Sequence, residues 1–256
     1  MKINKINSFF LIIFLLISLS YSFIDFSLKE PVSIAAWNIH IFGPKKAGNE
    51  TLMNQYYEII SQFDIVFLQE IRNADGSAII AFCAMFNETH ECMDSSRTGS
   101  ENYKEQYLLL FDKKFELMEF IDYNLLNYSN QFFRPPIKAV FNYKNINFTI
   151  YGIHVRPSDA SNEIRNLELL AINKGNVAVI GDLNSDCSYY KKGSDFKDWH
   201  WLITEDTTLS LRHCVYDQII INENFYKYYI HSAVYNKGID LSLSDHYLIY
   251  AIFELG

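Results

Sequence analysis

The run VAVIGDLNSD, residues 177–186, sets the tightest constraint on how this chain folds. Val177 to Ile180 are continuously apolar, which reads as a strand buried on both faces. Gly181 interrupts it, and Asp182, Asn184 and Asp186 follow at once. A core strand gains nothing by ending in acceptors unless a turn, a cap or a ligand uses them. The pattern recurs. VSIAAWNI (32–39) carries Asn38, DIVFLQEI (64–71) carries Glu70, the strand running into YGIHV carries His154, and Ser244-Asp245-His246 precedes the last strand. One aspartate after a strand is ordinarily a turn or a helix cap. Five strand ends offering carboxylates, amides and imidazoles place these groups around one mouth, where layered α/β proteins collect ligands.

The remaining segments fit such layers. TLMNQYYEIISQF (51–63), AIIAFCAMF (78–86) and residues 159–173, opening on Ser158-Asp159 caps, read as helices. YLLLFDKKFELMEFI (107–121) reads as a hairpin around Asp112-Lys113-Lys114, and IKAVFNYKNINFTIYGIHV (137–155) as a second turning at Lys144-Asn145. YDQIII (216–221) and HYLIYAIFEL (246–255) are further strands. Hairpins mixed with crossovers predict mixed sheets with helices packed outside. Without a Pro/Gly/Ser-rich linker or a repeat, one domain over 23–256 is expected.

Residues 1–22 read as a secretory signal peptide: Lys2 and Lys5, then FFLIIFLLISL, then Ser20 and Ser22 in small-x-small spacing. No later segment approaches the roughly 20 uninterrupted apolar residues of a membrane span, so no stable membrane anchor is expected. Secretion, to the extracellular space or the endolysosomal lumen, favours disulfides. Four cysteines allow three pairings, and proximity favours Cys83–Cys92 and Cys187–Cys214. Asn-x-Ser/Thr glycosylation sequons begin at Asn49, Asn87, Asn127 and Asn147. The net charge of −8 becomes −10 once Lys2 and Lys5 are removed. A polyanion must therefore be met by a local basic patch or by bound cations.

Glu70, Asp182 and Asp245, with the amides Asn38 and Asn184, are hard oxygen donors suited to Mg²⁺ or Ca²⁺ rather than zinc. His154 and His246 can exchange protons near neutral pH. A divalent ion with a general base and a general acid is what phosphate-ester hydrolysis requires. Each imidazole also needs an acceptor on its other nitrogen, and Glu105 and Asp217, beside apolar strand residues, are the candidates.

The blocks IAAWNIHIFG, DIVFLQEIR, NYKEQYLLLF, FRPP, HVRPSDA, GDLNSDCSYY, CVYDQIII and SDHYLIYAIF, spread over residues 32–254, resemble in order those of the deoxyribonuclease I family. That family is a secreted branch of the endonuclease/exonuclease/phosphatase superfamily. QE, GDxN and SDH specify only the superfamily; DCSYY with CVYD, YKE ahead of a strand, and HVRPSDA narrow it. The resemblance implies a four-layer α-β-β-α sandwich with two central mixed sheets. It implies a monomeric, Mg²⁺- or Mn²⁺-dependent endonuclease acting on double-stranded DNA with little sequence specificity. It assigns His154 and His246 as the acid–base pair, oriented by Glu105 and Asp217. It gives metal and scissile phosphate to Asn38, Glu70, Asp182, Asn184 and Asp245, and minor-groove contacts to Arg72 and Tyr103, which read groove width more than base identity. Arg134 and Tyr216 match phosphate-contact positions, and Cys187–Cys214 matches the family's long disulfide.

The chain also departs from the family. DYNLLNYSNQFF, around residues 122–132, lacks the cysteine-bracketed calcium loop, and at the second calcium site Asp206 and Thr208 match but Arg212 replaces a threonine. Structural calcium sites are therefore expected to be degraded. Cys83–Cys92 has no vertebrate counterpart, Ser100-Glu101 stand where an Arg and an Asn touch DNA, and Met93-Asp94 replace the valines through which some members bind actin. Actin binding is not expected. Two alternatives keep the fold: a phosphodiesterase or phosphatase for a lipid or small phosphoester, and a non-catalytic binding protein. The first calls for a basic loop or an exposed apolar hairpin, which the sequence lacks, and the second for a lost catalytic group, whereas all are present.

Overall fold

The computed structural model describes residues 30–100, 103–172, 175–191, 193 and 195–256, so the expected signal peptide and Glu101 lie outside the described residues. Pro31–Gly256 forms one compact unit. Its elements are β1 (Val32–Phe42), α1 (Pro44–Ala47), α2 (Glu50–Ile60), β2 (Ile65–Ile71), α3 (Ser77–Phe86), β3 (His90–Asp94), β4 (Gln106–Asp112), β5 (Glu116–Asp122), β6 (Ile137–Tyr143), β7 (Ile146–Gly152), α4 (Ala160–Ala171), β8 (Asn176–Asp182), β9 (His200–Trp201), β10 (Asp217–Ile221), α5 (Glu223–Tyr226), β11 (Tyr229–Tyr235) and β12 (Leu248–Phe253). They form two six-stranded sheets, ordered β11-β12-β1-β2-β4-β3 and β5-β6-β7-β8-β10-β9. In each sheet one central pair is parallel, β1 with β2 and β7 with β8, and the other pairs are antiparallel.

Side-chain alternation divides the apolar residues into three layers of core. Ile34, Phe67, Leu109 and Ile249 of the first sheet meet Ala139, Ile150, Ile180 and Ile219 of the second. The opposite faces of the same strands, with Trp37, Val66, Leu68 and Leu110, pack under Tyr56 and Ile60 of α2 and Phe82 and Phe86 of α3. Val177 and Val179 pack under Ile164 and Leu167 of α4. Central strands therefore have both faces covered, which is why VSIAAW and VAVI are continuously apolar rather than alternating. The order helix, sheet, sheet, helix is the four-layer sandwich expected.

The second expected hairpin forms, with Lys144 and Asn145 both at positive φ (48° and 64°) between β6 and β7. The first does not. β4 pairs with β2 and β3, whereas β5 pairs with β6 in the other sheet. Asp112-Lys113-Lys114 thus carries the chain between sheets. Buried β4 packs on both sides, whereas largely open β5 is an edge of the second sheet. Strands β3, β9 and β11 escape a reading for apolar runs because they are edge strands with partly polar, part-exposed sequences. Asp159 takes the N-cap position of α4 without a side-chain cap hydrogen bond.

Both proximal disulfides are formed, Cys83–Cys92 joining α3 to β3 and Cys187–Cys214 joining the loop after β8 to the segment before β10. Asn49, Asn87, Asn127 and Asn147 are all exposed. Among the described residues no helix is long and apolar enough to cross a membrane.

Gly181 is the backbone position on which the mouth turns. Its φ is +133°, and a Cβ there would lie 2.1 Å from the Ile153 carbonyl oxygen and 2.8 Å from Gln69 Nε2. Gly181→Ala is expected to cost at least about 2 kcal/mol, from overpacking and a forbidden backbone conformation together. Urea denaturation measures this, and an unchanged midpoint would refute it.

Candidate active site

Strand direction explains why the polar strand ends meet. Parallel β1 and β2 end at one rim of the first sheet, and β12 and β4, antiparallel to them, begin there. In the second sheet β8 ends where antiparallel β10 begins, with Asp182 directly opposite Asp217 in register. Asn38, Glu70, Glu105 and His246 thus come to the same rim as His154, Asp182 and Asp217. Local distortions aim two of them. β1 and β2 lose register between Asn38 and Phe42, where His40 and Ile41 have φ of 42° and 51°, and Glu70 itself sits at 63°. Positive φ at non-glycine residues, one of them β-branched, is strain of the kind found at functional sites.

At the centre are two carboxylate–imidazole pairs. His154 Nδ1 lies 2.6 Å from Glu105 Oε1, and His246 Nδ1 lies 2.7 Å from Asp217 Oδ2. The free nitrogens converge on one oxygen: His154 Nε2 and His246 Nε2 are 3.4 and 3.7 Å from Asp182 Oδ2. Asn38 Nδ2 donates to the same oxygen (3.1 Å) and to Glu70 Oε1 (3.3 Å), and the Asn184 N–H donates to Asp182 Oδ1 (3.0 Å). Asn184 turns its own amide nitrogen to the Val155 carbonyl (3.0 Å). Asp245 faces His40 instead, Oδ1 to Nδ1 at 2.9 Å, with both side chains substantially exposed.

The expected DNA contacts fall into two groups. Tyr103 is 62% exposed at the rim, and Tyr216 is half-buried with its ring 6.5 Å from His246. Arg72 bridges carboxylates, its Nη2 3.0 Å from Glu70 Oε2 and 3.8 Å from Glu105 Oε2. Arg134, expected at a phosphate contact, is 7% exposed and donates to the carbonyls of His154 (2.8 Å) and Val155 (3.1 Å) beside Glu105. These bonds tie it to the strand end that carries His154. The Asp206 carboxylate accepts from Thr208 N, Cys214 N and His213 Nδ1, and Asp122 accepts from the Ser96 and Asn124 N–H groups.

Other residues hold the mouth without having been given roles from the sequence. Lys46 Nζ donates to three carbonyls, those of Ile39 (2.9 Å), His40 (2.5 Å) and Leu243 (2.7 Å). Ser244 Oγ donates to the Asn38 carbonyl and accepts the His246 N–H, and Trp37 Nε1 donates to the His246 carbonyl. Together they latch the end of β1 to the loop before β12. The SDH block pointed to Ser244; a lysine eight residues beyond Asn38 carries no such signal.

Electrostatics follow from this enclosure. Burial opposes the charge on Asp182, but His246, His154 and the donors from Asn184 and Asn38 hold its carboxyl below the usual range. Burial likewise opposes Glu105, and His154 and Arg134 outweigh it to bring that carboxyl down. For His246 burial favours the neutral ring, yet Asp217 and Asp182 raise it to about 10. Burial pushes Asp217 itself up, against the pull of His246. With two carboxylates facing one imidazole, the shared proton belongs on the ring.

Comparison with known proteins places the chain. The Endonuclease/Exonuclease/phosphatase family pattern matches residues 35–246. Deoxyribonuclease-1 of Equus caballus is 31% identical over 217 residues, covering 73% of this chain and 76% of that protein. Deoxyribonuclease-1 of Sus scrofa is 30% identical over 222 residues, covering 76% and 78%. Among solved structures, truncated Caenorhabditis elegans TDP2 superposes with a TM-score of 0.62 at 16% identity, covering 88% of this chain and 98% of that one.

In metal-free protein, His246 is expected to titrate near 10 rather than near the ordinary imidazole value of about 6.5. A raised folded-state pKa means that its stabilising contribution is complete below about 6.5 and is lost as pH rises through about 10. NMR titration of the ring checks this, with Asp217→Asn expected to bring the midpoint down. A wild-type midpoint near 6.5 would contradict it.

Proposed function

The chain belongs to the endonuclease/exonuclease/phosphatase family as a deoxyribonuclease I-like hydrolytic nuclease, and we propose that it is a secreted, divalent-metal-dependent endonuclease cutting double-stranded DNA with little sequence preference. The observation that carries this reading is the convergence of two oriented imidazole Nε2 atoms on one buried carboxylate.

Each Nδ1–H is engaged by a buried carboxylate, which fixes the tautomer and presents Nε2 to the mouth. In the proposed reaction His154 accepts the proton of the attacking water, and His246, held as the imidazolium, donates to the leaving oxygen. Asp182, kept ionised between them, stabilises whichever ring is charged. Two clusters bring metal-ligating types together, Glu70 with Glu105 and His154, and Asp182 with Asp217 and His246. Because the imidazoles are already committed to Glu105 and Asp217, the residues that fit an ion are Glu70, Asn38 and Asp182, with Asn184 and Asp245 beside them. One Asn38 amide spans both carboxylates, and hard oxygen donors of this kind suit Mg²⁺ or Mn²⁺. A bound divalent ion supplies charge to offset the phosphoryl oxygens.

Arg72, Tyr103 and Tyr216 provide the DNA-facing groups of the proposal. Secretion, with residues 1–22 as a cleaved leader and 23–256 as the mature domain, is supported by the two disulfides and by the surface position of all four sequon asparagines. The proposed protein acts as a monomer and does not bind actin.

Purified protein is expected to nick supercoiled plasmid with Mg²⁺ or Mn²⁺ and to stop in excess EDTA. His154→Ala and His246→Ala should each lose about 10²- to 10⁴-fold in rate while remaining folded. Near-normal nicking by either variant would remove it from the acid–base pair, and intact plasmid with every divalent ion would redirect the search to lipid and small phosphoesters.

A further inference from the structure

A second cationic feature begins two residues beyond His154, at Arg156. Arg156 is exposed, and its guanidinium carbon lies 4.6 Å from the centroid of the half-buried Phe133 ring. The two residues are distant in sequence and are fixed side by side by one buried carboxylate. Glu163 on α4 accepts the Phe133 N–H through Oε1 (2.7 Å) and the Arg156 N–H through Oε2 (3.0 Å). Next to them Arg134 ties its own segment to the carbonyls of His154 and Val155. Two cross-links therefore join the strip 133–134 to the strip 154–156, whose first residue is the catalytic imidazole. The strip continues towards Tyr103, because a Cβ at Gly99 would lie 3.7 Å from Phe133 Cε1 and 3.0 Å from the Tyr103 carbonyl oxygen.

We propose that Arg156, laid on Phe133, is a strand-binding subsite that takes the sugar–phosphate backbone of the nucleic acid beside the scissile bond. The inference rests on the nuclease reading and extends it to a residue with no assigned role. Three physical points support it. The chain is acidic overall, so phosphates must be met by individual cations. Arg134 is hydrogen-bonded to two backbone carbonyls beside Glu105 and Arg72 is paired with carboxylates, whereas the Arg156 guanidinium, among the described residues, has an aromatic ring for its partner and no carboxylate. Stacking on a ring restricts the guanidinium in one plane and leaves its N–H edge to donate, the arrangement in which arginine suits phosphate.

The test compares wild type, Arg156→Ala, Arg156→Lys and Phe133→Leu in plasmid nicking across salt concentrations, with duplex-oligonucleotide binding by fluorescence anisotropy in a His154→Ala background. Arg156→Ala is expected to raise KM and Kd by about 3- to 10-fold, to leave the effect on kcat within about twofold, and to reduce the salt slope by about 0.9, as for one lost phosphate contact. Arg156→Lys should keep the slope and recover part of the affinity. Phe133→Leu should weaken binding with the slope unchanged, because the charge remains while its plane is released. Unaltered KM, Kd and salt slope in Arg156→Ala, with active wild type alongside, would overturn the subsite alone. A wild-type protein that neither nicks plasmid nor, as His154→Ala, binds duplex would overturn the nuclease reading and the subsite with it.

Discussion

The site is organised around a carboxylate that the fold removes from water. Asp182 is 2% exposed at the end of a core strand, and removing one partner from a buried charge pair costs about 3–5 kcal/mol. Its compensation comes from four directions: two imidazoles, the Asn38 amide and the Asn184 N–H. Each is then subject to the same requirement. His154 and His246 need acceptors, supplied by Glu105 and Asp217, and Glu105 in turn needs Arg134 and Arg72. One buried charge thus propagates outward into an ordered network before the protein meets a substrate, and a hydrogen-bonded network of that kind is worth its cost only if complete.

Sheet polarity delivers the members of the network to one place. Parallel strands contribute their final residues, and antiparallel neighbours contribute their first, so both sheets spend opposite chain directions on the same rim. The two sheets approach closely there. Gly181 lets the Ile153 carbonyl pass, and the Asp182 N–H reaches Gln69 of the facing sheet. Strain at His40, Ile41 and Glu70 is sustained by Lys46, which caps three carbonyls, and by the Glu70 carboxylate accepting the Ile41 N–H. Lys46 is itself brought down to about 8 by burial, against the pull of Asp245 and Glu70, so this support draws on a desolvated cation.

An acidic chain built to hydrolyse a polyanion has few cations to spare, and the structure divides them by depth. Arg134 and Lys46 face carbonyls and hold backbone segments together; Arg72 faces carboxylates at the mouth; Arg156 faces an aromatic ring at the surface. Residue type alone does not distinguish these roles. Local partners do, because a guanidinium surrounded by carbonyls is already neutralised in its hydrogen bonding and one resting on a ring is not.

The sequence by itself determined the layered architecture and the cast of the site. Continuous apolar strands demanded cover on both faces, and acceptors at their ends had no use in a core, so Asn38, Glu70, His154, Asp182 and His246 stood out from their sequence positions. It also favoured, among three possible pairings, the two proximal disulfides that the structure forms. Tertiary structure decided what local pattern cannot encode. Whether β5 turns back on β4 or crosses to the other sheet depends on which partner edge is free, and the edge strands β3, β9 and β11 acquire their conformation from neighbours rather than from apolar periodicity. Arg134 matched a phosphate-contact position in the sequence, and its bonds to the His154 and Val155 carbonyls came only with packing; Lys46, Ser244 and Glu163 likewise owe their roles to carbonyls and N–H groups brought from distant segments. The physical reason is the same in each case: hydrophobic periodicity is a property of a segment, whereas the partner of a buried polar group is a property of the packed chain.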